Sequence, residues 1–325
     1  MSLPLAIIID DPAPLINVYW WHAAESGNTD RPVLSTGEPV VDRIPVDFLE
    51  QFIELVERWS VRGKFSVLPY PAALGPIDQG WPGCDEGELI RWIDLVKRRV
   101  TPYMDITPEI LTHARALDLN TMAPLPLNER DWAQQQTATT MTPYIGRALQ
   151  ILQSVGLSPT GVTSPWDFGV GVEGEYRTAI RQAMAQIGVD QSWYFLHIDP
   201  VDTSLRSEVA WRDGDSWLVS IWAQVRDYLW QTMETGRDDE AYVESIADAY
   251  LTQDGTGGRL PELLAAGTPM VLCTHWQSLF SNGRRTGLRI LDEICRRVQQ
   301  WEPEQARWTT CSDLAMIVAT SSDGP

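Results

Sequence analysis

The sequence predicts an α/β fold on a mainly parallel sheet, with a (β/α) barrel of seven or eight strands as its simplest form. Three observations point there. Short, abruptly stopped apolar runs alternate with helical periodicity from one end to the other. The segment 208–211 and 217–222, joined around Asp213-Gly214-Asp215, reads as an inserted β-hairpin rather than a break in the alternation. No GxxxxGKS/T is present and no GxGxxG directly follows a strand, the one at 169–174 standing apart from the strand and loop at 161–165, so the nucleotide-binding versions of an open doubly wound sheet, which the alternation alone would also fit, lack support. The 325 residues hold no internal repeat and no linker, so one domain over 1–325 is expected.

Residues 5–9 (Leu-Ala-Ile-Ile-Ile) read as a buried strand that ejects two carboxylates, Asp10 and Asp11, at its tip. Apolar residues at 46, 49, 52, 53, 56 and 59 predict a helix. A second strand, 64–68, is stopped by Pro69 and Pro71, and a second helix covers 86–100. Residues 101–106 form a short third strand. Thr107-Pro108-Glu109 then has the look of a helix start, a hydroxyl cap followed by proline at the first helical position. Helices at 142–155 and 174–187 flank a strand and loop at 161–165, and a further strand covers 192–197. After the hairpin come helices at 239–251 and 260–266, a strand at 269–274 and a helix at 285–300.

With 44 acidic against 25 basic residues, the net charge of −19 argues against nucleic acid or an anionic membrane surface as partner. No run approaches the ~20 apolar residues of a membrane span. The first apolar run is broken by Asp10 and lacks a basic flank, so it reads as a strand and not a signal peptide. Cys84, Cys273, Cys295 and Cys311 form no CxxC pair, and a reduced, cytoplasmic protein is the simplest expectation. Oligomeric state is not legible.

Two adjacent buried carboxylates repel, so something positive must hold Asp10 and Asp11, a metal ion or a basic cluster. Only four histidines are present: His22, His113, His197 and His275. His275 directly follows the strand at 269–274 and so stands at a strand tip, as the two aspartates do. In a helix capped by Thr107, Glu109 and His113 would be i and i+4 on one face, a spacing that closes on one divalent ion. A single histidine near an apolar run is more often a hydrogen-bonded core residue than a ligand. The joint placement of these groups on one rim is what points to hydrolytic metal chemistry.

In these motifs the chain resembles the polysaccharide deacetylases of the NodB-homology group, a metal-dependent deacetylase barrel. Ile8-Ile9-Asp10-Asp11 is similar to their Thr-Phe-Asp-Asp, and Gly63-Lys64-Phe65-Ser66-Val67 to their Ala-Thr-Phe-Phe-Val. Glu109 and His113 match His-x-x-x-His imperfectly. Leu272-Cys273-Thr274-His275 matches Leu-x-Leu-His, and Trp308-Thr309-Thr310-Cys311-Ser312-Asp313-Leu314 echoes the closing strand and helix. The Arg-Pro-Pro-Tyr-Gly motif survives only as Thr163-Ser164-Pro165-Trp166-Asp167-Phe168-Gly169, without its arginine.

The resemblance implies a distorted deacetylase-type barrel in which Asp11 and His113 ligate a divalent metal, with Glu109 in place of the second histidine. Zinc is the first expectation; manganese, iron or nickel also suit so anionic a set. His22 would complete the set if Glu109 fell short. Asp10 would be the general base and His275 the general acid. Trp20, Trp21, His22, Trp166, His197 and Trp276 are candidate substrate contacts on the rim, the indoles by stacking on a sugar ring. The expected reaction is removal of an acyl group, or cleavage of a related C–N bond, from a carbohydrate or small amide. The alternatives are a glycoside hydrolase pairing Asp10 or Asp11 with Asp167 or Asp199, and a catalytically silent carbohydrate-binding barrel.

Overall fold

The computed structural model describes residues 2–301 and 306–321. Eleven strands are present among these residues: β1 (Leu3–Asp10), β2 (Gly63–Val67), β3 (Met104–Pro108), β4 (Arg115–Leu117), β5 (Pro124–Asn128), β6 (Gly161–Thr163), β7 (Gln191–Ile198), β8 (Glu208–Asp213), β9 (Ser216–Ala223), β10 (Met270–His275) and β11 (Ala306–Trp308). The longer helices are α1 (Val18–Gly27), α2 (Val46–Trp59) and α3 (Glu86–Leu95). After the short α4 (Glu129–Ala133) follow α5 (Ala138–Ser154), α6 (Glu173–Gln186), α7 (Glu240–Tyr250), α8 (Arg259–Ala265), the short α9 (Trp276–Phe280), α10 (Thr286–Gln300) and α11 (Cys311–Ser321).

The first sheet runs β10-β1-β2-β3, all parallel, with β11 pairing the start of β1. From Leu5 onward β1 is buried without interruption, as a strand covered on both faces must be. The second sheet runs β6-β7-β9-β8, parallel except for β8. Its hairpin forms where expected, but β9 is an internal strand paired to β7, so the hairpin is part of the sheet and not an insertion. No continuous ladder joins the two sheets. Isolated parallel bridges span the gaps instead, Ile106 to Pro159 and Glu109 to Thr163 on one side and Val225 to Leu272 on the other. The architecture is therefore mixed α/β with parallel sheets. Helices such as α2 and α10 cover it, burying their apolar stripes (Leu49, Phe52, Ile53 and Val56; Leu291, Ile294 and Val298). No helix among the described residues is long and apolar enough to cross a membrane.

The helix expected from Thr107 does not form. Thr107 is paired with Ser66 inside β3, and residues 109–114 continue as an irregular loop. A hydroxyl followed by proline fits a strand end as well as a helix cap, and pairing with β2 outweighs the local signal.

Candidate active site

Parallel pairing brings the C-terminal ends of β1 and β10 together, with Asp10 and His275 as register partners. The loop after β3 adds Glu109 and His113. Its shape is set by Glu129, a fully buried carboxylate that accepts the backbone N–H groups of Leu111 (3.2 Å), Thr112 (2.9 Å) and His113 (2.8 Å) and the Tyr144 hydroxyl (2.8 Å). Asp11, Ile110, His113 and Trp166 all take left-handed backbone angles (φ 66°, 41°, 51° and 46°). Such conformations are costly outside glycine and cluster at functional sites.

These groups line a cavity of about 140 Å³. Asp10, Asp11, Glu109, His113, His275 and Gln277 form its polar side; Trp166, Phe195, Leu196, Ile198 and Trp230 form its apolar wall. Three donor atoms converge there. His113 Nε2 lies 2.9 Å from Asp11 Oδ1 and 3.4 Å from Glu109 Oε1. Each ligand candidate is also held by a second atom. Gln277 Nε2 donates to Asp11 Oδ2, the Asp11 N–H donates to Glu109 Oε2 at 2.6 Å, and His113 Nδ1 is 3.2 Å from His22 Nε2. Asp11 Oδ1 is buried, and its one close polar neighbour is His113 Nε2. A buried carboxylate oxygen facing an imidazole and a second carboxylate is the donor set a divalent cation needs. The residues fit one.

Charge at this point is unbalanced by protein alone. Burial pushes Asp11 upward, but the charge and hydrogen bond of His113 outweigh it and hold the carboxyl well below its usual range. Burial, then the charges of Asp11 and Asp10, raise Glu109 to about 8. Burial opposes the charge on His113, yet Asp11 and Glu109 raise it well above the ordinary histidine value. In the metal-free protein Glu109 and His113 thus hold protons where a cation would stand.

His22 lies outside the converging set of Asp11, Glu109 and His113. It lies in α1, stacked on His113 (ring centroids 4.7 Å apart), with Nε2 against the His113 carbonyl. Burial and the nearby His113 charge lower it to about 3, so it stays neutral beside His113 and lines the same cavity. Trp166 touches both rings and lines the cavity. Trp20 and Trp21, also on α1, pack edge to face on each other and do not line the cavity. Trp276, expected on the rim, is 1% exposed beneath the site, against Phe48, Phe52 and Phe65; a ring so placed cannot stack on a ligand. His197 points away from the cavity, hydrogen-bonded to Glu173 (3.0 Å) and stacked on Trp222. The register of β7 against β9 shifts between Phe195 and His197, so Leu196 and Ile198 join Phe195 at the cavity while His197 turns away.

Two further groups complete the site. Asp227 Oδ2 accepts from His275 Nδ1 at 2.8 Å, and Thr274, Ser278 and Leu229 hold the same carboxylate. Burial opposes it, but the Asp227 hydrogen bond and the charges of Asp11, Asp227 and Asp10 raise His275 to about 9. Lys64, on β2, is completely buried and paired with Asp10. Asp10, Cys273 and His275 also lie close enough to chelate, but Lys64 already supplies the cation on that side.

No protein-family model matches the chain, and no curated protein matches it. Solved structures do. A provisionally assigned polysaccharide deacetylase from Mycobacterium smegmatis is similar over 86% of this chain and 79% of its own, with a TM-score of 0.51 and 15% identity. The chain has a polysaccharide-deacetylase fold. Weaker likenesses reach a CE4 family pseudoenzyme (TM-score 0.42, 7% identity, 84% of this chain and 63% of that one) and a GH57 branching enzyme from Thermococcus kodakaraensis (0.46, 13%, 94% and 70%). In this deacetylase fold the aspartate pair, the Glu109–His113 pair and His275 surround one cavity.

Proposed function

We propose that the protein is a metal-dependent hydrolase that removes an acyl group from a sugar-like or small amide substrate. We read its two sheets as a seven-stranded barrel parted at two seams, with the site on the rim. The observation that carries the reading is the convergence of Asp11 Oδ1, Glu109 Oε1 and His113 Nε2, each on a side chain anchored through another atom.

A bound divalent ion supplies Lewis acidity, polarising the acyl carbonyl and acidifying water. Asp10 accepts the proton of the attacking water, and His275 returns one to the leaving amine or alkoxide. Their register pairing across β1 and β10 places them side by side at the cavity. His275, raised to about 9, carries its proton at neutral pH, as a general acid must. The apolar wall of Trp166, Phe195, Leu196 and Ile198 suits the acyl methyl or chain. At about 140 Å³ the cavity is smaller than the ~300 Å³ at which whole-ligand pockets begin, so it takes the reacting end of a substrate.

The glycosidase reading gains nothing from the structure. Asp167 is exposed and paired with Arg130, Asp199 caps the turn at 201–202, and neither lines the cavity. The test is metal analysis with an acetate-release assay on N-acetylated sugars, acetylated nucleotide sugars and simple amides. Stoichiometric metal, lost in Asp11→Ala and His113→Ala, is expected, with acetate release cut by about 10²-fold or more in Asp10→Asn at unchanged metal content. Protein that binds no divalent ion at millimolar supply, yet binds sugars, overturns the hydrolase in favour of a binding module.

A further inference from the structure

Lys64 is an unusual core residue. It stands inside β2, wholly buried, where an aliphatic side chain would fill the space without the heavy cost of desolvating an ammonium group. Its three N–H donors are all spent: on Asp10 Oδ1, on Ser66 Oγ and, at 2.6 Å, on Thr163 Oγ1. Thr107 closes the hydroxyl ring, 2.8 Å from Thr163 and 3.3 Å from Ser66. The Phe195 ring covers the ammonium at 4.9 Å. Lys64 therefore has no donor left for a substrate and does not line the cavity. Whatever it does passes through Asp10.

On Asp10 the effect is one-sided. Oδ1 receives Lys64 and, at 3.1 Å, the Ser66 hydroxyl. Oδ2 meets only the Cys273 thiol at 3.6 Å.

We propose that Lys64 is the positioning residue of the Asp10 base, pinning Oδ1 so that Oδ2 alone is presented to the cavity as proton acceptor. The pin is a cation from β2, the strand paired with β1. The assignment rests on the hydrolase reading above.

The test compares Lys64→Met, Lys64→Arg, Asp10→Asn and the double variant Asp10→Asn/Lys64→Met. For Lys64→Met, kcat should fall by about 10²-fold or more, within the ~10²–10⁴ of a positioned base, with KM within about threefold and metal content unchanged. Lys64→Arg should recover part of that loss. In the Asp10→Asn background, removing Lys64 should cost no further kcat. Wild-type kcat in Lys64→Met, or a full additional loss in the double variant, overturns the proposal. If Lys64→Met alone fails to fold, the double variant, which leaves no unpaired buried charge, decides by the same comparison with Asp10→Asn. If the wild-type protein releases no acyl group, the hydrolase reading is what fails. Lys64 is then judged by a crystal structure of Lys64→Met, where an unmoved Asp10 carboxylate overturns its positioning role and a reoriented one supports it.

Discussion

His275 depends on a partner forty-eight positions away, Asp227. Replacing that carboxylate with an amide removes its charge and leaves at most a neutral acceptor for the imidazole, so Asp227→Asn should lower the His275 value from about 9. Because the active form is the protonated one, the alkaline limb of kcat/KM should move to lower pH, with a fall of about 10–100-fold at its plateau. An unmoved limb would assign the acid elsewhere. Glu109 offers a second residue-level test. Two carboxylates and one imidazole suit harder ions than an imidazole-rich set does, so Glu109→His should raise zinc affinity relative to manganese. Competition titration against a fluorescent chelator measures the change; equal shifts for both ions would count against direct ligation. Trp276 belongs to a different category. Buried against three phenylalanines, its change to alanine should cost about 3–5 kcal/mol in urea unfolding, far beyond any loss of one sugar contact.

At the level of elements, the contact of β1 with β2 is the one the site can least spare, since it joins Asp10 to Lys64. A Cβ on Gly63 would fall 1.8 Å from the Ile7 carbonyl oxygen. Gly63→Ala should therefore part the strands and destabilise the fold by about 3 kcal/mol or more, seen as a lowered Tm; a Tm equal to wild type would mean that the strands separate without cost. Strands such as β1, β2 and β10 were legible because short runs stopped abruptly by polar residues or proline leave a plain signal. The loop at 109–114 was not. Its conformation comes from Glu129, sixteen residues beyond His113, and from a bridge to Thr163. Neither leaves a periodicity. Helix α1, which carries Trp20, Trp21 and His22, reads as loop because its apolar residues make no stripe. Lys64 was hidden for a similar reason. One basic residue in an apolar strand looks incidental until partners 54 and 99 positions away appear around it. Asp10, Asp11 and His275 were visible because a strand end fixes where a side chain emerges.

For the molecule as a whole, the proposed metal loading would be one equilibrium with proton release. Glu109, raised to about 8, and His113, raised well above its usual value, are protonated at neutral pH in the metal-free protein. A cation must displace those protons, so affinity should increase as pH rises from about 6 to about 8.5. At a free ion concentration of about 100 Kd, binding adds about 2.7 kcal/mol to stability, and the resulting Tm shift should shrink on acidification. A shift independent of pH would mean the ion binds elsewhere. The indoles provide an unplanned advantage for such work. Trp166 lies 4.3 Å from His113 and Trp230 lies 5.0 Å from His275, centroid to centroid. On the proposed reading, a cation that displaces the His113 proton would change the emission of Trp166. The pair would then be the protein's own optical reporter of what occupies its centre.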